Sequence, residues 1–249
     1  MNKDIFDGVC GFNPFAGNDF PGIVSAILFY SGCNLRCPYC QNPDIILGNV
    51  SSFNPAEFET FLKKRQGIID GIVITGGEPT IHKNLPVLTK YIRDLGYQIK
   101  LDTNGLNPEI LKDCEIDYLA LDIKTTPKKY AEYLGTKLSA EKVKENLFET
   151  INFIKSRNIN GELRITLAPQ IIEEANFAEI AEFVEDMPVF LQTFRTSFDI
   201  LDEGFFGNAK TDKNLMLKLK TYLEKTAKSV KIREYGENSK VAPKAHDSL

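Results

Sequence analysis

The chain has 249 residues, 43% hydrophobic and 26% charged, the balance of a globular chain long enough for one large domain with a sizeable core. Its net charge of −4 offers nucleic acid no general basic surface, and its two histidines, His82 and His246, argue against a histidine triad or a multi-histidine metal site. Ile23–Tyr30, the longest early apolar run, is far short of the ~18 residues of a membrane span, and Met1-Asn2-Lys3-Asp4 lacks the apolar core of a secretion signal, so no nucleic acid or membrane partner is expected and the setting is expected to be cytoplasmic, with reduced thiols.

Residues 1–22 are rich in Gly, Asn, Asp and Phe, are broken by Pro14 and Pro21, and read as an irregular lead-in that carries Cys10 as a free or structural thiol. Ile23–Tyr30 reads as a buried strand. Next comes Cys33-Asn34-Leu35-Arg36-Cys37-Pro38-Tyr39-Cys40, with three cysteines spaced C-x3-C-x2-C. An odd number of close thiols leaves one over in any disulfide scheme. A structural zinc site closes with four protein ligands, and this stretch supplies three. An iron–sulfur cluster on three thiolates keeps one iron free for an outside ligand, and this is the reading taken. A redox pair with a bystander, or zinc with Cys10 as a distant fourth ligand, stays open.

Pro55–Arg65 has helical spacing, with Asn54 as N-cap and Pro55 at the first position. Ile68–Ile74 is the second strand and runs into Thr75-Gly76-Gly77-Glu78-Pro79. Leu85–Leu95 is a helix ended by Gly96. Gln98–Leu101 is the third strand, leading into Asp102-Thr103-Asn104-Gly105, and Pro108–Asp113 a short helix. Tyr118–Ile123 is the fourth strand, holding Asp122 and leading to Lys124. Ala140–Asn158 is a long helix, Glu162–Leu167 the fifth strand with Arg164 inside it, and Phe177–Asp186 a helix. Val189–Phe194 is the sixth strand, ending at Arg195. Asn214–Ala227 is a helix and Val230–Tyr235 a final strand. The alternation implies a parallel sheet with right-handed crossovers. One domain over 1–249 is expected, with a loosely ordered tail after Gly236.

The unusual polar residues collect at the C-terminal ends of successive strands, the rim where α/β sheets and βα barrels build active sites. Gly76 and Gly77 let a ligand approach the backbone, and backbone carbonyls or the Glu78 carboxylate could receive an ammonium group; a plain strand-to-helix turn is the alternative. Asp102, Thr103 and Asn104 form either a turn or a polar contact set. Asp122 and Lys124 share one face by alternation, as an interior ion pair or as a site for a carboxylate. Arg164, with Glu162 as same-face neighbour, either reaches a ligand or neutralises an acid. His82 reads as a solvated loop histidine and Cys114 as a buried, inert thiol.

The cysteine stretch, with aromatic Tyr39 before the third cysteine, and the Gly-Gly-Glu-Pro motif after the second strand together resemble the radical SAM superfamily. Asn18–Gly22, Cys33–Pro43, Gly71–Thr80, Leu101–Gly105, Ala120–Lys124 and Leu191–Arg195 are similar to its glycyl-radical-enzyme activating proteins, above all those acting on anaerobic ribonucleoside-triphosphate reductase. The likeness covers about residues 18 to 235. Gln41-Asn42-Pro43 departs from the His-Asn-Pro common in that group. The resemblance implies an α/β fold, an incomplete (β/α)6 TIM-like barrel of parallel strands, whose open side admits a bulky substrate. It implies a [4Fe–4S] cluster on Cys33, Cys37 and Cys40. S-adenosylmethionine would be contacted by Tyr39, Gly76, Gly77, Glu78, Asp102, Thr103, Asn104, Asp122, Lys124 and Arg164, with no protein acid or base required. It further implies a glycyl radical enzyme as protein substrate and a one-electron donor such as flavodoxin or ferredoxin. A radical SAM enzyme acting on a small molecule or peptide is the alternative within enzymes, and a zinc- or iron–sulfur-binding interaction module the alternative outside them.

Overall fold

The computed structural model describes residues 3–50, 52–194, 200–207 and 209–233. Among these residues eight strands form one sheet whose spatial order equals chain order. They are β1 (Val9–Ala16), β2 (Ser25–Tyr30), β3 (Gly71–Gly76), β4 (Gln98–Thr103), β5 (Tyr118–Asp122), β6 (Asn160–Leu167), β7 (Pro188–Thr193) and β8 (Ser229–Arg233). β1 pairs antiparallel with β2, and every later pairing is parallel. Helices fill the crossovers: α1 (Pro43–Leu47), α2 (Pro55–Arg65), α3 (Leu85–Asp94), α4 (Pro127–Leu134), α5 (Ala140–Arg157), α6 (Phe177–Ala181), α7 (Glu203–Phe206) and α8 (Lys213–Leu223). Among the described residues β1 and β8 do not pair, so the barrel is incomplete, as expected from the sequence. Among the same residues no helix is long and apolar enough to cross a membrane.

Local chemistry sets the helix ends. The Asn54 side chain accepts from the Ala56 and Glu57 N–H groups, Pro55 opens α2, and Lys63, Lys64 and Arg65 close it against the helix dipole. Ser139 caps α5 by accepting from Lys142 N–H, and Asn158 ends it at φ 52°. Alternation then divides the sheet. Leu28, Ile74, Leu101, Leu119, Leu163 and Leu191 face the helices and are fully buried in the main core. On the other face a small apolar layer of Ala16, Phe20, Ile27 and Val73 fills the barrel near the N-terminal ends of the strands. Above it on β4–β6 the same face turns polar.

Several elements differ from expectation. The lead-in is not irregular: β1 lies within it. Gly11, Asn13 and Pro14 hide a strand that exists because β2 offers a pairing edge, and Pro14 is tolerated at a sheet edge beside a register shift between Asn13 and Ala16. The second strand starts at Gly71 rather than Ile68, whose side chain is solvent-exposed. Gly71 sits where a Cβ would meet Ile23 and Phe20. The third strand runs on to Thr103, Pro108–Asp113 is a 3-10 turn, and the helix from Phe177 ends at Ala181. The sequence reading lacked α1, α4 and α7. Arg195, Glu234, Tyr235, the tail after Gly236 and His246 lie outside the described residues.

Candidate functional site

The cysteine loop leaves β2 and is held on three sides. Gly77 N–H donates to the Tyr30 carbonyl (2.8 Å) and Glu78 N–H to the Gly32 carbonyl (2.9 Å), tying it to the end of β3. Arg36 N–H donates to the Leu134 carbonyl at the end of α4 (2.7 Å). Leu201 N–H and Asp202 N–H donate to the Cys40 and Pro38 carbonyls, both at 3.0 Å, so the segment before α7 closes the far side.

All five cysteines are free thiols. Burial pushes the thiols of Cys33, Cys37 and Cys40 up, Cys33 to about 11 and Cys37 to about 12. The positive charge of Lys124 opposes that rise at all three. Among the described residues no three Cys, His, Asp or Glu side chains converge tightly enough to enclose a single metal ion. Three thiols on one loop are a donor set that would leave one iron of an iron–sulfur cluster open, whereas a structural zinc site closes with four protein ligands. Cys10 does not complete a zinc site: its Sγ donates to the Phe29 carbonyl (3.4 Å). Cys114 is buried, and its Sγ donates to the Ile110 carbonyl (3.3 Å).

Gly76 and Gly77 are required by the fold as well as by any ligand. Gly76 has φ 124°, and a Cβ there would lie 2.3 Å from the Tyr30 carbonyl oxygen. The Glu78 carboxylate, expected with the backbone carbonyls to receive an ammonium group, is buried and accepts four hydrogen bonds within the protein. Its Oε1 accepts from Thr80 N–H (3.1 Å), Thr80 Oγ1 (2.6 Å) and Thr103 Oγ1 (2.7 Å), and its Oε2 accepts from Asn104 N–H (2.7 Å). Burial raises its pKa while these donors pull the other way. Glu78 and Thr103 therefore stitch the loop after β3 to the loop after β4. Asn104 continues the seam, its Nδ2 donating to Asn34 Oδ1 in the cysteine loop (2.7 Å).

Beside this seam lies a row of charges across β4, β5 and β6. Lys100 Nζ pairs with Asp102. Arg164 donates from one N–H to Asp102 Oδ2 (2.9 Å) and from Nε to Asp122 Oδ1 (2.7 Å), and Lys124 Nζ donates to Asp122 Oδ2 (2.9 Å). Arg164 thus neutralises two acids. Burial alone would raise Asp102 and Asp122, but the neighbouring cations, Arg164 foremost, hold both carboxyls below the usual range. Three cations against two anions leave one positive charge over. Glu162 belongs to a separate group, accepting from Tyr118 OH (2.8 Å) and lying 3.7 Å from Arg233.

The sequence reading missed Lys100, Asn34 and Tyr130. Strand alternation two residues before Asp102 would have found Lys100, and a Tyr–Leu pair at i, i+4 after Pro127 would have found the helix that carries Tyr130, whose hydroxyl accepts from Lys124 N–H (3.0 Å). His82 is not a solvated loop residue. Its ring packs on Tyr30 at 4.6 Å, and its Nε2 lies 2.8 Å from the Ser31 carbonyl oxygen.

Comparison with known proteins adds independent findings. The sequence profile of the radical SAM superfamily matches residues 27–187. A Methanocaldococcus jannaschii protein provisionally named as a glycyl-radical enzyme activating enzyme is 31% identical over 231 residues, 90% of this chain and 95% of that protein. The 7-carboxy-7-deazaguanine synthase of the same organism is 28% identical over 202 residues, 75% of this chain and 77% of that protein. In fold, the crystal structure of Streptococcus suis SuiB bound to precursor peptide SuiA superposes with a TM-score of 0.57 at 16% identity; 84% of this chain is covered, but it spans only about half (48%) of that one.

Proposed function

The chain belongs to the radical SAM superfamily, and from that membership we propose that this one domain is a glycyl-radical enzyme activating enzyme, acting on a partner of the anaerobic ribonucleotide reductase type. The reading takes Cys33, Cys37 and Cys40 as the holders of a [4Fe–4S] cluster, with one iron left for S-adenosylmethionine. Such a cluster, reduced by an outside donor such as flavodoxin or ferredoxin, supplies the electron that splits S-adenosylmethionine into methionine and a 5′-deoxyadenosyl radical able to take hydrogen from a glycine Cα.

The observation that carries the proposal is the position of Lys124. It ends a charge row with one positive charge over, and its charge favours the thiolate form of all three cysteines. That row suits the carboxylate of S-adenosylmethionine, with Asp122, Arg164 and Asp102 fixing Lys124 and one another. The backbone carbonyls of Gly76 and Gly77 are the groups to receive its ammonium group, with Glu78 Oε2, which accepts one bond in the protein, beside them. Asn104 fixes the cysteine loop through Asn34, and Tyr39 lines it.

A second reading, a radical SAM enzyme acting on a small molecule, draws on the similarity to 7-carboxy-7-deazaguanine synthase over three quarters of the chain. The test is anaerobic iron–sulfur reconstitution, reduction with dithionite in the presence of S-adenosylmethionine, and chromatography for 5′-deoxyadenosine. Product that depends on each of the three cysteines is expected, as is a glycyl radical in the paramagnetic resonance spectrum when a candidate partner enzyme is added. A loaded cluster that yields no 5′-deoxyadenosine, or stoichiometric zinc in place of iron, would overturn the proposal. Turnover with a small molecule and with no glycyl enzyme would favour the second reading.

A further inference from the structure

The inner wall of the barrel changes character beyond the charge row. On β6, Leu163, Ile165 and Leu167 are buried in the main core, so alternation sends Arg164 and Thr166 into the barrel. On β7, Val189 and Leu191 are buried in the same core, and Phe190 and Gln192 point inward. Two contacts fix this orientation. Thr166 stands opposite Gln192 in the register, and its Oγ1 donates to Gln192 Oε1 (3.4 Å). The Arg233 guanidinium of β8 lies 4.3 Å from the centre of the Phe190 ring. Thr166, Phe190 and Gln192 are each half-buried, so the wall keeps a surface for something else to touch.

At the level of the rim, the polar groups of this wall are a hydroxyl and a carboxamide. Arg233, opposite Gln192 in the register, is held by Phe190 and by the buried Glu162 at 3.7 Å. An anionic small substrate would meet a neutral surface here. A carboxamide carries both a donor and an acceptor, the complement of a peptide unit with its one N–H and one C=O. Its oxygen has two lone pairs, so the bond from Thr166 leaves it able to accept a second. Glycine, with no side chain, brings its backbone closest to such a wall. Position agrees with chemistry. The charge row assigned to S-adenosylmethionine spans β4–β6, whereas β7 and β8 lie toward the edge that stays open because β1 and β8 do not pair among the described residues. A protein segment entering by that edge meets β8 and β7 before it reaches the charge row.

We propose that Gln192, oriented by Thr166, binds the peptide backbone of the partner enzyme's glycine-bearing segment as that segment enters the barrel by its open side. The inference rests on the proposed function and adds the side chain that recognises the protein substrate. Gln192 is the specificity-determining residue and Thr166 its positioning residue.

The test uses the full, cluster-loaded chain with S-adenosylmethionine, kept anaerobic and without reductant. The probe is a capped, fluorescein-labelled peptide that copies the glycine segment of the candidate partner enzyme. Gln192→Ala removes the carboxamide, and Gln192→Glu keeps its shape while replacing the donor by an anion. Fluorescence anisotropy is expected to show peptide affinity lowered about tenfold in Gln192→Ala and at least as much in Gln192→Glu. Methylating the peptide nitrogens one at a time is expected to find one whose methylation weakens binding to the wild type but not to Gln192→Ala, the mark of direct contact. Affinity for S-adenosylmethionine, read by equilibrium dialysis, is expected to stay at the wild-type value. Peptide affinity within about twofold of wild type in both variants would overturn the inference. So would a parallel loss of S-adenosylmethionine affinity, which would put Gln192 in the cofactor site, or methylation effects identical in wild type and Gln192→Ala, which would make its role indirect. A wild-type chain that forms no glycyl radical on the partner enzyme fails the proposed function. One that forms the radical but does not bind the peptide fails this inference alone, because recognition then lies elsewhere on the partner.

Discussion

Gly77 lies so close to Gly32 that a Cβ added to Gly77 would sit 1.8 Å from the Gly32 carbonyl oxygen. Two motifs 45 positions apart in the sequence are therefore in backbone contact, and neither can move alone. Gly77→Ala is expected to destabilise the protein by about 3 kcal/mol or more and to lower cluster loading, because the cysteine loop has to shift. Gly67, at φ 75° with open space around it, is the control. Gly67→Ala carries only backbone strain, about 1–2 kcal/mol. Equal losses in urea denaturation would refute the contact.

Glu78→Gln tests the seam between the loops after β3 and β4. If the amide oxygen faces Thr80 and Thr103, the amide N–H2 faces Asn104 N–H, donor against donor. A loss of about 2 kcal/mol is expected, with the Asn104–Asn34 bond loosened in turn. A denaturation midpoint equal to wild type would show that Glu78 does not hold the loops together.

The charge row carries a pH signature. Asp102 and Asp122 titrate below their unfolded values, so the stability they contribute is present above the ordinary carboxylate range and fades as pH falls through that range toward their folded values. Arg164→Gln removes the cation they share and is expected to cost about 2–4 kcal/mol at neutral pH. The gap between wild type and variant should narrow as pH drops below about 4. A gap independent of pH would mean that Arg164 stabilises by packing rather than by charge.

His82→Ala tests the clamp on the start of the cysteine loop. A Cβ on Gly8 would lie 2.2 Å from His82 Nδ1, and the Gly8 carbonyl accepts from both Ser31 N–H and Ser31 Oγ. Loss of the ring should cost about 1–2 kcal/mol and expose residues 5–8 to limited proteolysis. His82→Asn, which keeps a polar reach toward the Ser31 carbonyl, should recover part of the protection. Proteolysis unchanged in the alanine variant would remove the clamp from the account.

The cysteine loop, the Gly-Gly-Glu-Pro turn and the paired Asp122 and Lys124 were legible because local spacing and strand alternation encode them. What stayed hidden depends on partners distant in sequence. β1 reads as coil from its Gly, Asn and Pro content and becomes a strand only against β2. The destination of a carboxylate is equally invisible: nothing in Thr75–Pro79 says that Glu78 will meet Thr103 and Asn104. Lys100 is the opposite case, a signal present in the i, i+2 pattern with Asp102 and overlooked because a lone lysine in a strand reads as surface. Its side chain is only 2% exposed.

The antiparallel start of the sheet has a kinetic consequence. β1 and β2 are joined directly, whereas each later strand reaches its neighbour only after a crossover. Closing a short loop costs less chain entropy than closing a long one, so the β1–β2 hairpin is the cheapest strand pairing to nucleate. The platform from which the three cysteines project is thus expected to form first, with the charged wall of β4–β6 assembling against a loop root that already has its shape. Pulse-labelled amide exchange during refolding would show early protection at Leu28 and Tyr30 ahead of Leu121 and Ile165, and simultaneous protection would rule this order out.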